Sequence, residues 1–381
     1  MSDSRTLIYP VSNTDIGDLE LNYVLSAVRS GWVSSIGEFV DKFEKRFADL
    51  CGAKHGVSLS NGTAALFITL KAMDIQPGDE VIVPALTFAA VPAVVRQVGA
   101  TPVIVDVHPD YWAMDPKCLE AAINERTRAI MVVHTYGHPA DMDRIMEVAD
   151  AHGLRVIEDC AEAHCARYKG RVVGGLADVG CFSFYGNKII TTGEGGMIVT
   201  NHGELADRVR HLKDHAMDKQ RRYWHEEVGY NLRLTNIQAA LGCAQLERID
   251  EIMEKRDTIL QWYRQELTDN PALHLNPQMS WAAPVNWMVC VVWKGADELQ
   301  RNTLLNALRN HGVDTRPFFI PVSQLPPYRT CPMFSNVPGK MPVADRLSAS
   351  GFNLPSYSKL QRQDVFRIAS ILQDELISKD S

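Results

Sequence analysis

The chain has 381 residues, of which 46% are hydrophobic and 22% charged, and its formal net charge at pH 7 is −7. This length exceeds the usual size of one hydrophobic core, so we expect a large domain with a smaller one attached. The composition is that of a globular enzyme and excludes a disordered or fibrous chain, while the negative charge argues against a general nucleic-acid or membrane surface.

Short β-branched runs alternate with helical patterns between about residues 54 and 200. The predicted strands are 56–59, 80–83, 102–105, 129–133 and 155–157, and helical periodicity fits 63–73, 89–98, 116–124 and 142–152. This alternation predicts an α/β fold with βαβ units and a buried, mostly parallel central sheet. Ligands bind at the carboxyl ends of strands in such sheets, so we expect the chemistry where these strands end.

A long, largely helical stretch is predicted over residues 231–267, where it would bridge two domains. Beyond it, a strand at 288–293, a helix-like pattern at 298–310, the segment 313–319 and an amphipathic stretch at 361–376 indicate a smaller α+β unit. The predicted large domain therefore covers residues 1–248, and the bridging helix and small C-terminal domain cover 249–381.

The compartment is predicted from the start of the chain and from its cysteines. Residues 1–10 have no charged-then-apolar signal pattern, and no stretch approaches ~18 uninterrupted apolar residues. The eight cysteines are scattered without a CxxC pair, which suits reduced thiols. These features predict a cytoplasmic protein with neither a membrane nor a nucleic acid as partner.

The first motif with a chemical signal is Ser60-Asn61-Gly62-Thr63-Ala64-Ala65, where a predicted strand ends and a helix begins. Free backbone N–H groups and the positive end of the helix dipole favour a phosphate at such a place, with a plain helix N-cap as the alternative. Gly62, Thr63 and Ala64 are the candidate contacts, and Ser183 offers a hydroxyl to the same phosphate.

A carboxylate and a lysine follow further along the chain. Asp159 ends an apolar strand, and Lys188 lies in a charge-poor segment that ends in the glycine-rich run 193–196. Pyridoxal phosphate needs an anion beside its pyridine nitrogen, and a primary amine that binds its aldehyde and titrates low enough to act as a base. The pattern therefore predicts pyridoxal phosphate as cofactor, with Asp159 and Lys188 as the catalytic residues. A solvated surface lysine is the alternative for Lys188.

Two further side chains are assigned to the ring of this cofactor. Phe88 follows a strand that ends at Pro84 and can stack on a planar ring, with a core phenylalanine as the alternative. Glu162, three residues after Asp159, can turn toward the phenolic oxygen, with a solvated helix glutamate as the alternative. Residues 159–165 also resemble a metal cluster, but they lack a second, separated pair of ligands, so no metal is predicted.

With these residues in hand, the chain resembles the sugar aminotransferases of the DegT/DnrJ/EryC1/StrS family over nearly its whole length. The resemblance implies the type I fold of pyridoxal phosphate-dependent aminotransferases, and a homodimer with each active site at the interface. It also implies that Asn236 reaches the phosphate of the partner's cofactor. A neighbouring dehydratase branch carries histidine at the lysine position, so Lys188 favours amino transfer. The motifs that carry the resemblance are residues 31–35, 60–65, 78–84, 158–162, 184–188 and 230–236.

Narrower markers within the family concern the substrate. They are Glu162, where many relatives carry glutamine, and the segments 136–139, 223–225 and 315–319. By resemblance, L-glutamate donates its amino group, which leaves pyridoxamine phosphate, and the acceptor is the C4 ketone of GDP-4-keto-6-deoxy-D-mannose. The alternatives are a dTDP- or UDP-linked 3- or 4-keto sugar and, more remotely, a non-catalytic regulator that binds the cofactor. The candidate contacts with the nucleotide sugar are Trp224, His225, Arg316 and Tyr328.

Overall fold

The computed structural model describes residues 8–380, with side chains described as far as residue 377. The prediction about targeting rests on residues 1–10, and residues 1–7 of this segment lie outside the described residues. In chain order the strands are β1 (His55–Leu59), β2 (Glu80–Pro84), β3 (Thr101–Val105), β4 (Thr127–Val133), β5 (Arg155–Asp159), β6 (Arg167–Tyr168), β7 (Arg171–Val172), β8 (Val179–Ser183), β9 (Gly196–Thr200), β10 (Leu273–Leu275), β11 (Ala282–Ala283), β12 (Val289–Trp293), β13 (Arg316–Pro317), β14 (Met333–Phe334) and β15 (Gly351–Leu354).

The helices surround these strands. Short 3₁₀ turns also form at Pro116–Cys118, Thr135–Gly137, Val322–Gln324 and Pro326–Tyr328. The α-helices are α1 (Asp18–Arg29), α2 (Glu38–Cys51), α3 (Gly62–Ala72), α4 (Ala90–Gln97), α5 (Leu119–Ala122), α6 (Met142–His152), α7 (Gly203–Lys213), α8 (Asn236–Glu247), α9 (Ile249–Leu267), α10 (Glu298–Asn310), α11 (Pro342–Ser350) and α12 (Arg362–Asp380).

The central sheet has eight strands in the order β1-β9-β8-β5-β4-β2-β3-β14. Neighbours from β8 to β14 pair in parallel, whereas β9 runs antiparallel to both β8 and β1. Every residue of β2, β8 and β9 is buried, as expected of strands covered by helices on both faces. The predicted α/β fold with a mostly parallel central sheet is confirmed, and each of the five predicted strands is present.

Two predicted helices differ in the structure. The stretch 116–124 is a 3₁₀ turn followed by the four-residue α5, since the Asp115 side chain accepts from Lys117 N and holds the tighter turn. The stretch 231–267 is two helices, because the chain leaves helical geometry at Arg248, whose guanidinium binds Glu20 and Glu251. Helix α8 begins only at Asn236, after a capping box on Thr235.

A second, antiparallel sheet has the order β10-β12-β15-β13 and packs with α9, α10 and α12 around a separate apolar cluster. This is the smaller α+β unit expected from the sequence. Two strands from this part of the chain pair elsewhere: β14 joins β3 in the central sheet, and β11 pairs with β6. The domain limits 1–248 and 249–381 stay a prediction. Within the part of the chain that is described, no helix combines the length and apolarity that a membrane crossing requires.

Candidate active site

A cavity of about 660 Å³ opens where the central strands end. The elements around it come from distant parts of the chain: the start of α3, the segment after β2, the end of β5, the turn after β8, and strand β13. The structure brings to its wall the following side chains and backbone groups singled out in the sequence: Gly62, Thr63, Phe88, Asp159, Glu162, Ser183, Lys188 and Arg316.

Lys188 is carried by a loop that leaves the end of β8 and returns to β9. Phe184 closes the base of this loop, since its N–H donates to Gly195 O and its carbonyl accepts from Thr192 N, both at 2.9 Å. Lys188 N donates to Tyr185 O at 2.9 Å, so the lysine sits in a tight turn inside the loop. Burial lowers the pKa of the Lys188 amine, while the charges of Glu162 and Asp159 raise it. Where burial prevails, the amine binds a proton less tightly than an ordinary surface lysine does and loses it more readily.

Asp159 stands at the carboxyl end of β5, with 7% of its surface exposed. Its carboxylate accepts a hydrogen bond from Ala161 N at 3.0 Å. Burial raises the pKa of Asp159, and the Ala161 hydrogen bond and the Lys188 charge oppose that change. A carboxylate held at this depth, opposite a lysine, can form a strong pair with a buried cation.

Glu162 lies on the same wall and is held by the backbone of Tyr136, whose N–H donates to Glu162 Oε2 at 2.6 Å. Tyr136 has a left-handed backbone (φ 52°), which turns this N–H toward the carboxylate. Burial raises the pKa of Glu162 to about 7, against the opposing effects of Lys188 and Tyr136 N. Near neutral pH this carboxyl group can therefore either donate or accept a hydrogen bond.

The start of α3 provides the expected anion-binding geometry. Asn61 caps the helix through its side chain, which accepts from Ala64 N at 2.8 Å. The first-turn N–H groups of Gly62 and Thr63 have no acceptor within the helix, and Ser183 lies directly beside them. A Cβ on Gly62 would come within 2.6 Å of Ser183 Cβ, so glycine is what lets the two elements meet. Free backbone donors, a hydroxyl, a carboxylate and an amine around one cavity fit pyridoxal phosphate.

Phe88 lies at the mouth of this cavity. It is 60% exposed, and its ring is tilted against Phe319 with centroids 6.0 Å apart. The alternative reading as a core phenylalanine is therefore wrong, because the ring is open on one face. Arg316 lies on β13, which pairs with β15, and its partner in the register is Asn353, another residue of the cavity wall.

Five predicted site residues lie outside the cavity wall. Ala64 donates its N–H to Asn61 Oδ1 at 2.8 Å, and its predicted contact with the cofactor stays a prediction. Tyr328 is buried in the main apolar core, with 6% of its surface exposed, and does not line the cavity. Trp224 and His225 are exposed on the excursion between Asp214 and Asn231.

Asn236 is also away from this cavity. It is 1% exposed, and its side chain accepts from Phe39 N at 3.0 Å and donates to Trp32 O at 2.7 Å. These bonds fasten the segment that joins α1 to α2. The predicted contact of Asn236 with a partner's cofactor stays a prediction, and it requires this segment to rearrange.

Sequence reasoning missed several residues of the cavity wall. Tyr136, Asn187 and Phe319 belong to segments that were noted without a role for these residues, while Trp287 and Asn353 were not singled out at all. The most closely placed is Trp287, whose ring centroid is 4.2 Å from Lys188 Nζ. Trp287 lies about one hundred residues from Lys188 in the chain, so no local pattern could have paired them.

Among the described residues, His134, Glu158 and Cys160 form a group whose ligand atoms lie within 4.8 Å of one another. The polar atoms of Glu158 and His134 form hydrogen bonds with other groups of the protein. Glu158 accepts from His134 Nε2 and from three backbone N–H groups, and His134 Nδ1 accepts from Ala140 N. The group is therefore a buried hydrogen-bond network beneath the cavity.

Comparison with known proteins gives a consistent result. The model of the DegT/DnrJ/EryC1/StrS aminotransferase family matches residues 14–373. GDP-perosamine synthase of Caulobacter vibrioides is 45% identical over 359 residues, which cover 94% of this chain and 95% of that protein. GDP-perosamine synthase of Escherichia coli O157:H7 is 41% identical and covers 96% and 98%.

Another relative is named for a different sugar nucleotide. dTDP-3-amino-3,4,6-trideoxy-alpha-D-glucose transaminase of Streptomyces venezuelae is 36% identical and covers 89% of this chain and 87% of that protein. Among solved structures, the PLP-form of putative sugar aminotransferase Spr1654 from Streptococcus pneumoniae superposes with a TM-score of 0.90. It is 28% identical and covers 97% of this chain and 98% of that one.

Proposed function

This chain belongs to the DegT/DnrJ/EryC1/StrS aminotransferase family, and we propose that it transfers the amino group of L-glutamate to C4 of GDP-4-keto-6-deoxy-D-mannose, giving GDP-perosamine. The observation that carries the proposal is Lys188 facing Asp159 and Glu162 in the one cavity that also holds the start of α3. The choice of a GDP sugar is supported by near full-length likeness to two GDP-perosamine synthases.

The cofactor is pyridoxal phosphate, which supplies a ring that withdraws electrons from the carbon bearing the transferred amine. Gly62 N, Thr63 N and the Ser183 hydroxyl would bind its phosphate. Asp159 would hold a proton on the pyridine nitrogen by charge, and Lys188 would bind the aldehyde.

Lys188 is also the base of the proposed reaction. With the cofactor bound, the Lys188 amine would take the proton from the α-carbon of L-glutamate in the first half of the cycle and would give a proton to C4 of the sugar in the second half. The lowered pKa of the Lys188 amine serves this role, because a larger fraction is unprotonated near neutral pH. Glu162, whose pKa lies at about 7, would hold or give a proton at the phenolic oxygen.

We extend the proposal to a homodimer with shared active sites. Helix α1 carries Leu21, Leu25 and Val28 at helical spacing on one exposed face, and Trp32 and Ile36 continue this apolar surface. A second copy covering this face would bury it.

The same arrangement gives a role to residues that lie away from this chain's own cavity. Trp224 and His225 stand on an exposed excursion, where the Arg221 guanidinium lies 4.0 Å from the Trp224 ring centroid. In a dimer they would contact the nucleotide sugar of the partner's site, and Asn236 would reach the partner's phosphate. Arg316 at the cavity wall offers a fork of donors to a diphosphate or carboxylate. We place the reaction in the cytoplasm, where it would supply a precursor of surface polysaccharide such as O-antigen.

The test is mass spectrometry of the sugar nucleotide after incubation of the purified protein with pyridoxal phosphate, L-glutamate and GDP-4-keto-6-deoxy-D-mannose. A shift from ketone to amine is expected, and NMR then places the new amine at C4. Lys188→Ala is expected to abolish both turnover and the visible absorbance of bound cofactor, while the exposed control Lys359→Ala keeps both.

Two outcomes would contradict the proposal at different levels. Amination of a dTDP- or UDP-linked ketone in place of the GDP sugar would replace the substrate but keep the enzyme class. Full activity of Lys188→Ala would end the proposed mechanism.

A further inference from the structure

Trp287 reaches the cavity from the segment between β11 and β12. Its indole Nε1–H donates to Asn187 O at 2.8 Å, on the residue before the lysine, and its ring centroid lies 4.2 Å from Lys188 Nζ. One side chain thus contacts both the loop that carries the lysine and the amine itself. Only 5% of the Trp287 surface is exposed, so this contact is largely shielded from water.

Helix α9 forms hydrogen bonds with the chain at Trp287 and at its neighbour Asn286. Arg256 on α9 donates to Trp287 O at 2.8 Å, and this arginine is buried. The neighbouring Asn286 donates to Asp257 Oδ1 at 2.6 Å, also on α9. Helix α9 therefore fixes the backbone of Trp287, while the ring itself is held by its N–H bond to Asn187 O.

The other groups that face Lys188 are ionisable. Asp159 and Glu162 lie on the wall formed by β5 and the turn after it, and both favour the charged amine. His164 lies beyond them; burial lowers its pKa to about 3, so it is neutral. The indole ring is thus an uncharged partner of the amine, and its attraction does not change when the carboxyl groups titrate.

We propose that Trp287 is a positioning residue for Lys188, its ring and its N–H holding the free amine and its loop in place whenever the cofactor does not bind the lysine covalently. This rests on the proposed function, since the free amine matters only if Lys188 alternates between binding the cofactor and acting as a base. The attraction between an ammonium group and an indole face is strongest when water is excluded. At this site it should raise the pKa of the Lys188 amine relative to an aliphatic neighbour.

The test uses full-length protein from which the cofactor has been removed. Pyridoxal phosphate is added over a series of pH values, and the rate at which its visible absorbance appears reports the fraction of unprotonated Lys188. Trp287→Leu, which removes the ring, is expected to lower the midpoint of this pH profile by about one unit. Trp287→Phe keeps an aromatic face and should leave the midpoint near that of the unmodified protein, but it loses the bond to Asn187 O and should weaken cofactor affinity.

A second experiment does not depend on the folding of Trp287→Leu. Global replacement of tryptophan by fluorotryptophan withdraws electron density from every indole ring without changing its shape appreciably. The midpoint should fall in the parent sequence and stay unchanged in Trp287→Phe, which retains the other six tryptophans. The matched control is Trp281→Phe, because Trp281 contacts Tyr111 and His138 and should leave the fluorination response intact.

The outcomes separate this inference from the proposed function. Equal midpoints in Trp287→Leu and the parent, or a fluorination shift that persists in Trp287→Phe, would overturn the role of Trp287 and leave the aminotransferase proposal standing. A parent protein that develops no absorbance with pyridoxal phosphate at any pH would instead overturn the proposed function.

Discussion

Glu158 offers the sharpest test of how the fold supports the cavity. Its carboxylate is fully buried and receives four hydrogen bonds. Oε1 accepts from Leu176 N at 2.8 Å and Ala177 N at 2.9 Å, while Oε2 accepts from Gly174 N at 2.8 Å and His134 Nε2 at 3.1 Å. These bonds clamp the turn between β7 and β8, and the strand β8 leads directly into the loop of Lys188.

Glu158→Gln has almost the same shape, but its amide has an acceptor at one end only. Whichever way the amide lies, two of the four N–H groups lose their acceptor and face an NH₂ group. His134 cannot rescue the pair by changing tautomer, because its Nδ1 already accepts from Ala140 N at 3.0 Å. A hydrogen bond to a charged group contributes about 1.5–3 kcal/mol, so the loss of two should lower the free energy of unfolding by about 3–6 kcal/mol.

The measurement is urea unfolding of the cofactor-free protein followed by tryptophan fluorescence, together with cofactor affinity from visible absorbance. Glu204→Gln is the control, since Glu204 is exposed on α7, and its unfolding midpoint should not move. We also expect weaker cofactor binding in Glu158→Gln, because Asp159 follows on the same strand. An unfolding midpoint equal to that of the parent would refute the argument that this carboxylate holds the turn.

Three further predictions concern the cavity and the segment beside it. Gly62→Ala should weaken cofactor binding at least tenfold, because the new Cβ would lie 2.6 Å from Ser183 Cβ and push the two elements apart; absorbance titration measures this. The pKa of Glu162 is raised to about 7 from an ordinary 4.5, so the folded protein binds this proton more tightly than the unfolded chain does. The free energy of unfolding should therefore fall as the pH rises from about 4.5 to 7. This fall should be smaller in Glu162→Gln, and thermal unfolding at several pH values measures it. Asn236→Ala removes two buried hydrogen bonds and should increase proteolysis within residues 32–39, and an unchanged cleavage rate would count against that fastening.

The sequence predicted the site best where a local pattern determines the geometry. Asp159 and Gly62 follow predicted strand ends, and a parallel sheet collects such ends at one edge, so their meeting follows from topology alone. The five predicted strands, β1 to β5, were found for the same reason, because buried parallel strands carry continuous β-branched runs. Lys188 was predicted from its charge-poor segment before the glycine-rich run 193–196, with a solvated surface lysine as the alternative.

Prediction failed where the outcome depends on contacts between distant segments. The one glycine within residues 231–267, Gly242, lies inside α8, so no glycine or proline marks the break at Arg248, where the guanidinium pairs with Glu20 and Glu251. Trp287 could not be found at all, since its contact with Lys188 depends on how α9 and β12 pack.

The adjacent carboxylates of Glu158 and Asp159 show how one strand serves both the fold and the chemistry. Neighbouring residues of a strand point to opposite faces of the sheet, so the pair is divided by geometry. Glu158 turns to the side where four donors meet it, and a buried carboxylate so fully bonded stabilises the structure.

Asp159 turns to the cavity and, within the described residues, receives one hydrogen bond from Ala161 N. Burial with so few partners costs free energy, as the raised pKa of Asp159 indicates. Replacing buried ionised groups by apolar ones of similar volume is often neutral or stabilising, so stability alone would not retain Asp159 opposite Lys188 and Glu162. The unused acceptor capacity of Asp159 is better explained by a buried cation that arrives with a ligand, which is the role that the protonated ring of pyridoxal phosphate would fill.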